Sequence, residues 1–373
     1  MKIAVNARML TQWKPGGLVN YAHETLSRIT RRHREHDFLF IVDRPFPGKA
    51  GYPDNVSIAT AFPSFHPLLW YPWFEMAVPG SMRKFGADLL LSPDGFACLS
   101  TNVPTVAVIH DLNFHHHPQD MPFLISRYYN RFFPQYAKKA KTIATVSEYS
   151  KRDIVNLYGE PPEKIIVTYC AAGEGFRPLP EEEKQKVKEQ ICGGAPYFMF
   201  VGALHPRKNL ARLIEAFEKF KMETGAKTKL VIAGPQLFKT ELIFQTRQKI
   251  RHKRDVLFLG SVSEEQLRSL YGGALAFMFV SYFEGFGIPA LEAMGCDVPV
   301  VAADNTSLPE VCKDAALLVD PFSVEAIAEA MKTVNFDETL RKHLIEKGRA
   351  RKKHFSWDKT ADLLWEAVER SLP

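Results

Sequence analysis

Several features are missing from this 373-residue sequence, and each absence removes a class of protein. The longest apolar runs, such as Ala274 to Val280, fall well short of the roughly 18 residues that cross a bilayer, so no integral membrane span is expected. The start, MKIAVNARML, reads as a short alternating strand with Arg8 inside it, and no apolar signal core follows it. The five cysteines are scattered and odd in number, and no two are spaced C-x-x-C, which argues against a disulfide framework or a zinc knuckle. A reducing cytoplasm is the expected compartment. No strand-like run is followed by G-x-G-x-x-G, which disfavours a dinucleotide oxidoreductase. Charge of either sign is also scarce in excess: the net +6 is too small for a dedicated nucleic-acid protein, so no nucleic-acid partner is expected. It does suit phosphate ligands or an anionic membrane surface.

What is present is an alternation. Short β-type runs (Ile3–Ala7, Phe38–Val42, Leu89–Ser92, Val106–His110, Thr142–Val146, Ile165–Tyr169) are separated by longer helical patterns, which predicts a parallel sheet with helices on both faces. A helix follows Gly16-Gly17, with Leu18, Ala22, Thr25, Leu26 and Ile29 on one face. After a Pro/Gly and charge-rich stretch a second series begins: Tyr197–Leu204, Lys229–Gly234, Val256–Gly260, Ala276–Ser281, Val298–Ala303 and Ala316–Asp320. The reading is α/β, two doubly wound domains in tandem. The expected divisions are an N-terminal Rossmann-like domain over 1–172, a linker and domain entry over 173–195, a second Rossmann-like domain over 196–355, and a C-terminal helix over 356–373 returning to the first domain. Ser263 and Gln266 make a capping box.

In open α/β sheets ligands sit at the carboxyl ends of strands, so motifs just after a strand carry most weight. Gly16-Gly17 opens a helix, where free N–H groups can receive a phosphate or simply form a turn. Arg207-Lys208 also open a helix. Two cations there are unfavourable unless an anion joins them, which points to a diphosphate. Glu284 to Glu292 place one carboxylate in a Gly-rich loop and one on the helix that Pro289 begins; each can accept two adjacent hydroxyls. His110 ends a strand and can meet a sugar hydroxyl or carbonyl. The neighbouring His115-His116-His117 cannot easily converge on one ion, so no metal site is expected.

Taken together, GGLVNY, VIHDL, TVSEYSKRDI, FVGALHPRKNL, SYFEGFGIPALEAMGCDVPVV and SLPEV resemble the retaining glycosyltransferases of family 4, in order along nearly the whole chain. The E-x7-E string is the most specific piece. The resemblance implies the GT-B fold, two Rossmann-like domains facing a central cleft, with the acceptor read by the first and a nucleotide sugar bound by the second. It implies that Glu292 binds the ribose, Glu284 the donor hexose, and Arg207 and Lys208 the diphosphate. It further implies that Gly202 and the backbone of Phe286, Gly287, Ile288 and Pro289 lie close to that diphosphate. By the same resemblance Gly16 and Gly17 would approach those phosphates and His110 would face the hexose. Many members carry an arginine directly after the strand-end glycine; here that position is Ala203, and Arg207 is inferred to supply the charge. Ser147, Glu148 and Lys151 have no single assigned role.

The implied activity is retaining hexosyl transfer in cell-envelope polysaccharide or glycoconjugate synthesis. The donor is GDP-mannose or a UDP-hexose, and the acceptor a glycan or lipid-linked sugar. No cofactor beyond the donor is expected, and no metal, since no Asp-x-Asp occurs. Trp70 to Phe74, the basic helix end Arg28–Arg34 and Lys138-Lys139-Lys141 suggest contact with the inner face of an anionic membrane, against burial or plain solvation. A GT-B epimerase or phosphorylase, or a non-catalytic sugar-nucleotide-binding protein, would use similar donor contacts.

Overall fold

The computed structural model describes residues 1–11 and 16–372. The chain forms two compact units, Met1–Cys170 with the segment from Ser356 onward, and Ala171–Phe355.

The first unit holds seven strands: β1 (Lys2–Asn6), β2 (Asp37–Val42), β3 (Val56–Thr60), β4 (Leu89–Ser92), β5 (Thr105–Val108), β6 (Thr142–Thr145) and β7 (Ile165–Val167). They run parallel in the order β3-β2-β1-β4-β5-β6-β7. The central runs are almost wholly apolar because helices cover both faces of a parallel sheet. β3 departs from that pattern, being a half-exposed edge strand, and the sequence reading overlooked it. Arg8 lies beyond β1, not inside it: the strand ends at Asn6, and Arg8 begins a tight turn in which its side chain is buried.

The second unit carries β8 (Tyr197–Val201), β9 (Lys229–Ala233), β10 (Val256–Gly260), β11 (Ala276–Phe279), β12 (Val300–Ala303) and β13 (Ala316–Val319), all parallel, ordered β10-β9-β8-β11-β12-β13. In each unit the strand order reverses beside the first strand, between β1 and β4 and between β8 and β11. Such switch points open the crevice in which doubly wound sheets bind ligands. Helix Glu181–Cys192 occupies most of the stretch read as a linker, and the expected capping box at Ser263 and Gln266 is formed.

Helix Gly17–Arg32 buries Ala22, Thr25, Leu26 and Ile29, while Leu18 is exposed. It packs against helix Trp357–Glu369, where His33 stacks on Trp365 at 3.7 Å and Arg28 Nε lies 3.2 Å from Asp358. Arg32 pairs with both Asp358 and Asp362. Arg28 and Arg32 of this basic helix end are therefore paired within the unit. In the aromatic segment Trp70, Trp73 and Phe74 are buried and Tyr71 is exposed, as expected of a helix with one face on the core. No helix among the described residues is long and apolar enough to cross a membrane.

Candidate active site

At the switch point of the second unit, β8 leads through Gly202 to a tight turn, Pro206–Lys208, while β11 leads to the loop 280–287. Asn209 adopts a left-handed conformation (φ 61°) and its amide donates to the carbonyls of Val280 (2.9 Å) and Pro321 (2.6 Å), tying the two loops together. This brings both cations onto one carboxylate. Arg207 Nη1 lies 2.7 Å from Glu284 Oε2, and Lys208 Nζ lies 2.5 Å from Glu284 Oε1. The anion that the sequence demanded beside Arg207-Lys208 is, within the protein, Glu284.

Burial opposes ionisation of Glu284, but the charges of Arg207 and Lys208 outweigh it and hold the carboxyl down at about 2. Its backbone is fixed as firmly. Ser307 Oγ lies 2.9 Å from the Glu284 carbonyl and 3.0 Å from that of Phe286, and the Glu284 N–H donates to Thr306 Oγ1 at 3.2 Å. These contacts give the SLPEV segment a role that its sequence alone did not disclose.

Helix Ile288–Gly295 begins after Gly287, whose φ of 109° suits glycine. A Cβ there would stand 2.7 Å from Leu308 Cδ2. Phe286 is buried and Ile288 half-buried at the helix start, while Gly202 spends its N–H on the Ala233 carbonyl (3.0 Å). Glu292, a turn further on, is buried with a different partner: Tyr271 Oη donates to its Oε2 at 3.1 Å. Burial raises this carboxyl to about 7 despite the Tyr271 hydrogen bond, so the two glutamates are electrostatic opposites. Tyr271, on helix Glu264–Gly273, is a site residue the sequence reading missed.

In the first unit Gly16 and Gly17 open helix Gly17–Arg32, which has no side-chain cap and no acid in its first turn; a Cβ on Gly16 would meet no described atom within 4 Å. Tyr21, one turn on, meets the His110 ring edge-on at 4.8 Å. Burial lowers the His110 pKa, and its Nε2 donates to the Pro93 carbonyl at 2.8 Å. Ser147 caps helix Glu148–Tyr158. His116 Nε2 lies 2.8 Å from Asp153, and His115, His116 and His117 form no group of three metal-ligand atoms among the described residues; His33, Glu35 and His36 do come within 4.8 Å of one another.

Two parallel-sheet Rossmann-like domains in tandem, with cations and carboxylates at a switch point, are the GT-B architecture of glycosyltransferases. The resemblance of the whole chain to solved structures agrees: HepE from Anabaena in complex with UDP-glucose matches with a TM-score of 0.76 over 99% of both chains at 18% identity, which shows the fold. The chain belongs to the glycosyltransferases of group 1, family 4: residues 181–351 match the family of glycosyl transferases group 1, and residues 15–172 match Glycosyltransferase Family 4. Among its relatives, O-antigen chain mannosyltransferase B of Escherichia coli is 33% identical over 68% of this chain and 67% of its own length. O-antigen chain mannosyltransferase RfbU of Salmonella typhimurium is 29% identical over 77% of each chain.

Proposed function

We propose that this chain transfers mannose from a nucleotide diphosphate sugar, GDP-mannose ahead of a UDP-hexose, to a hydroxyl of a glycan or lipid-linked acceptor in O-antigen-type polysaccharide assembly. The observation that carries this reading is the Arg207-Lys208-Glu284 cluster at the β8/β11 switch point. The mannosyltransferase relatives support the sugar.

Glu284 is ionised and pre-paired. An ionised carboxylate offers about four lone-pair sites, so beyond Arg207 and Lys208 it keeps acceptor capacity for a hexose hydroxyl. Those cations place positive charge beside the diphosphate, with the backbone at Phe286, Gly287 and Ile288 and the strand-end Gly202 next to it. Glu292 accepts the ribose hydroxyls. Gly16, Gly17 and the open helix end they begin take phosphate oxygens, and His110 meets the hexose. The anomeric C–O bond breaks with its electron pair going to the diphosphate, and the acceptor oxygen bonds to the same carbon from the same face. The acceptor's proton passes to a diphosphate oxygen. Fixed cations at the leaving oxygens are worth several kcal/mol of barrier, typically about 3 for a single donor. On this reading they do the work of a metal, and no cofactor besides the donor is needed.

The acceptor's lipid brings the first unit to the inner face of an anionic cytoplasmic membrane. Phe65, Leu68, Tyr71 and Phe123 are exposed there at 69%, 69%, 52% and 73%, with Arg127 and Arg131 also exposed on helix Phe123–Lys139.

The test is a donor panel in the presence of a chelator, with acceptor glycans and with none. Mannosyl transfer from GDP-mannose with an α product supports the reading. Donor consumption without acceptor would point to an epimerase or a phosphorylase, and donor binding without turnover to a binding protein.

A further inference from the structure

The switch point of the first sheet, between β1 and β4, is occupied by a buried ion pair. Asp94 receives Arg8 Nη2 at 3.2 Å on Oδ2, and on Oδ1 it receives Asn6 Nδ2 at 2.6 Å and Ser92 Oγ at 3.1 Å. The rings of Phe96, Phe74, Trp70 and Trp73 surround the guanidinium at 4.7 to 5.8 Å. Such a pair adds little stability over an apolar core of the same shape, and here Arg8 Nε has no partner among the described residues. Its arrangement calls for another use.

Asp94 lies in the turn Ser92–Gly95, closed by the Gly95 N–H toward the Ser92 carbonyl at 3.5 Å. Gly95 has φ 82°, and a Cβ there would stand 3.2 Å from the Val108 carbonyl oxygen, so the turn is pressed onto the end of β5. Inside the turn is Pro93, whose carbonyl lies 2.8 Å from His110 Nε2. A carbonyl only accepts, so Nε2 carries the hydrogen. In the neutral ring Nδ1 is then a bare acceptor. Tyr21, whose hydroxyl lies 2.7 Å from Thr168 Oγ1, holds the other side of the imidazole.

We propose that Arg8 and Asp94 are positioning residues: the pair fixes the Ser92–Gly95 turn, the Pro93 carbonyl fixes the tautomer of His110, and His110 Nδ1 is thereby reserved to accept a hydroxyl of the transferred sugar. This rests on the reading of His110 as a sugar-contacting residue. The groups bearing on the ring's charge are burial, which lowers its pKa, and the Pro93 carbonyl, Asp111 and Asp94, which favour protonation but are outweighed by it. A sugar lacking the hydroxyl, or carrying a carboxylate in its place, finds an unsatisfied or repelling lone pair.

Two measurements on the full chain test this. In protein labelled with 15N-histidine, long-range proton–nitrogen correlation should show His110, identified by its loss in His110→Asn, as the Nε2–H tautomer. Asp94→Asn, and more weakly Ser92→Ala, should mix the two tautomers. In turnover, one member of a monodeoxy-mannose donor series should fall by at least about tenfold in kcat/KM, the worth of one hydrogen bond. Asp94→Asn and Arg8→Lys should lower kcat/KM for the parent donor and flatten that discrimination, with GDP affinity unchanged. A wild-type His110 bearing its hydrogen on Nδ1, or an Asp94→Asn protein with tautomer and discrimination intact, would overturn the positioning role. Failure of every donor to turn over would remove the transferase reading alone, because the tautomer is measured without substrate.

Discussion

Lys208 Nζ lies 2.5 Å from Glu284 Oε1, a contact between residues 76 positions apart. On the function proposed above, the pair places a cation beside the donor's diphosphate and an acceptor beside its hexose.

Removing either cation therefore has two effects. Arg207→Ala and Lys208→Ala should each lower kcat about 100-fold or more with saturating donor, the usual loss for one charge-stabilising donor at a reacting centre. Each should also lower stability, because Glu284 stays buried with half its pairing. Steady-state kinetics and thermal unfolding read the two effects separately. Wild-type turnover in both variants would remove the diphosphate role.

Glu292 should make donor affinity depend on pH. Its carboxyl is raised to about 7, while two ribose hydroxyls are best accepted by the ionised form. The donor's Kd should fall by up to about tenfold, one pKa unit's worth, between pH 6 and 8, with proton release on binding. Calorimetry in two buffers of different ionisation enthalpy measures both, and a flat Kd would contradict the ribose assignment.

The same carboxyl carries a stability signature. A carboxyl raised in the fold keeps its proton where the unfolded chain has lost it, so stability is full below the unfolded value and declines as pH rises through about 7. Glu292→Gln should raise the unfolding midpoint of the unliganded protein at pH 8 by roughly 2–6 °C, with little change near pH 4.5. An equal shift at both pH values would mean that packing, not charge, is responsible.

Ser307→Ala removes the hydroxyl that holds the carbonyls of Glu284 and Phe286. Urea unfolding should show a loss of about 1–3 kcal/mol, as for buried groups left without a partner. Turnover should fall as well, because the loop carrying Glu284 is released. Unchanged kcat beside a clear stability loss would make Ser307 purely structural.

Much of this was readable from sequence wherever the signal is local. Parallel strands covered on both faces read as apolar runs, and the capping box at Ser263 falls within one turn of helix. β3 escaped because a half-exposed edge strand alternates weakly over five residues. The pairing of Arg207-Lys208 with Glu284 followed from chemistry only as a demand for an anion, since its supplier stands 76 and 77 positions away. Arg8 and Asp94 are 86 apart, and nothing near either one names the other. Arg28 and Arg32 looked like free surface charge because Asp358 and Asp362 lie some 330 residues later.

That last distance also sets an order of assembly during synthesis. The second unit is complete once Phe355 has left the ribosome, whereas the first still lacks helix Trp357–Glu369. Until that helix arrives, the face of Gly17–Arg32 that meets it stays uncovered. The unit whose strands come first is thus completed only after the second, and a nascent chain stalled before that helix would expose sticky surface to chaperones.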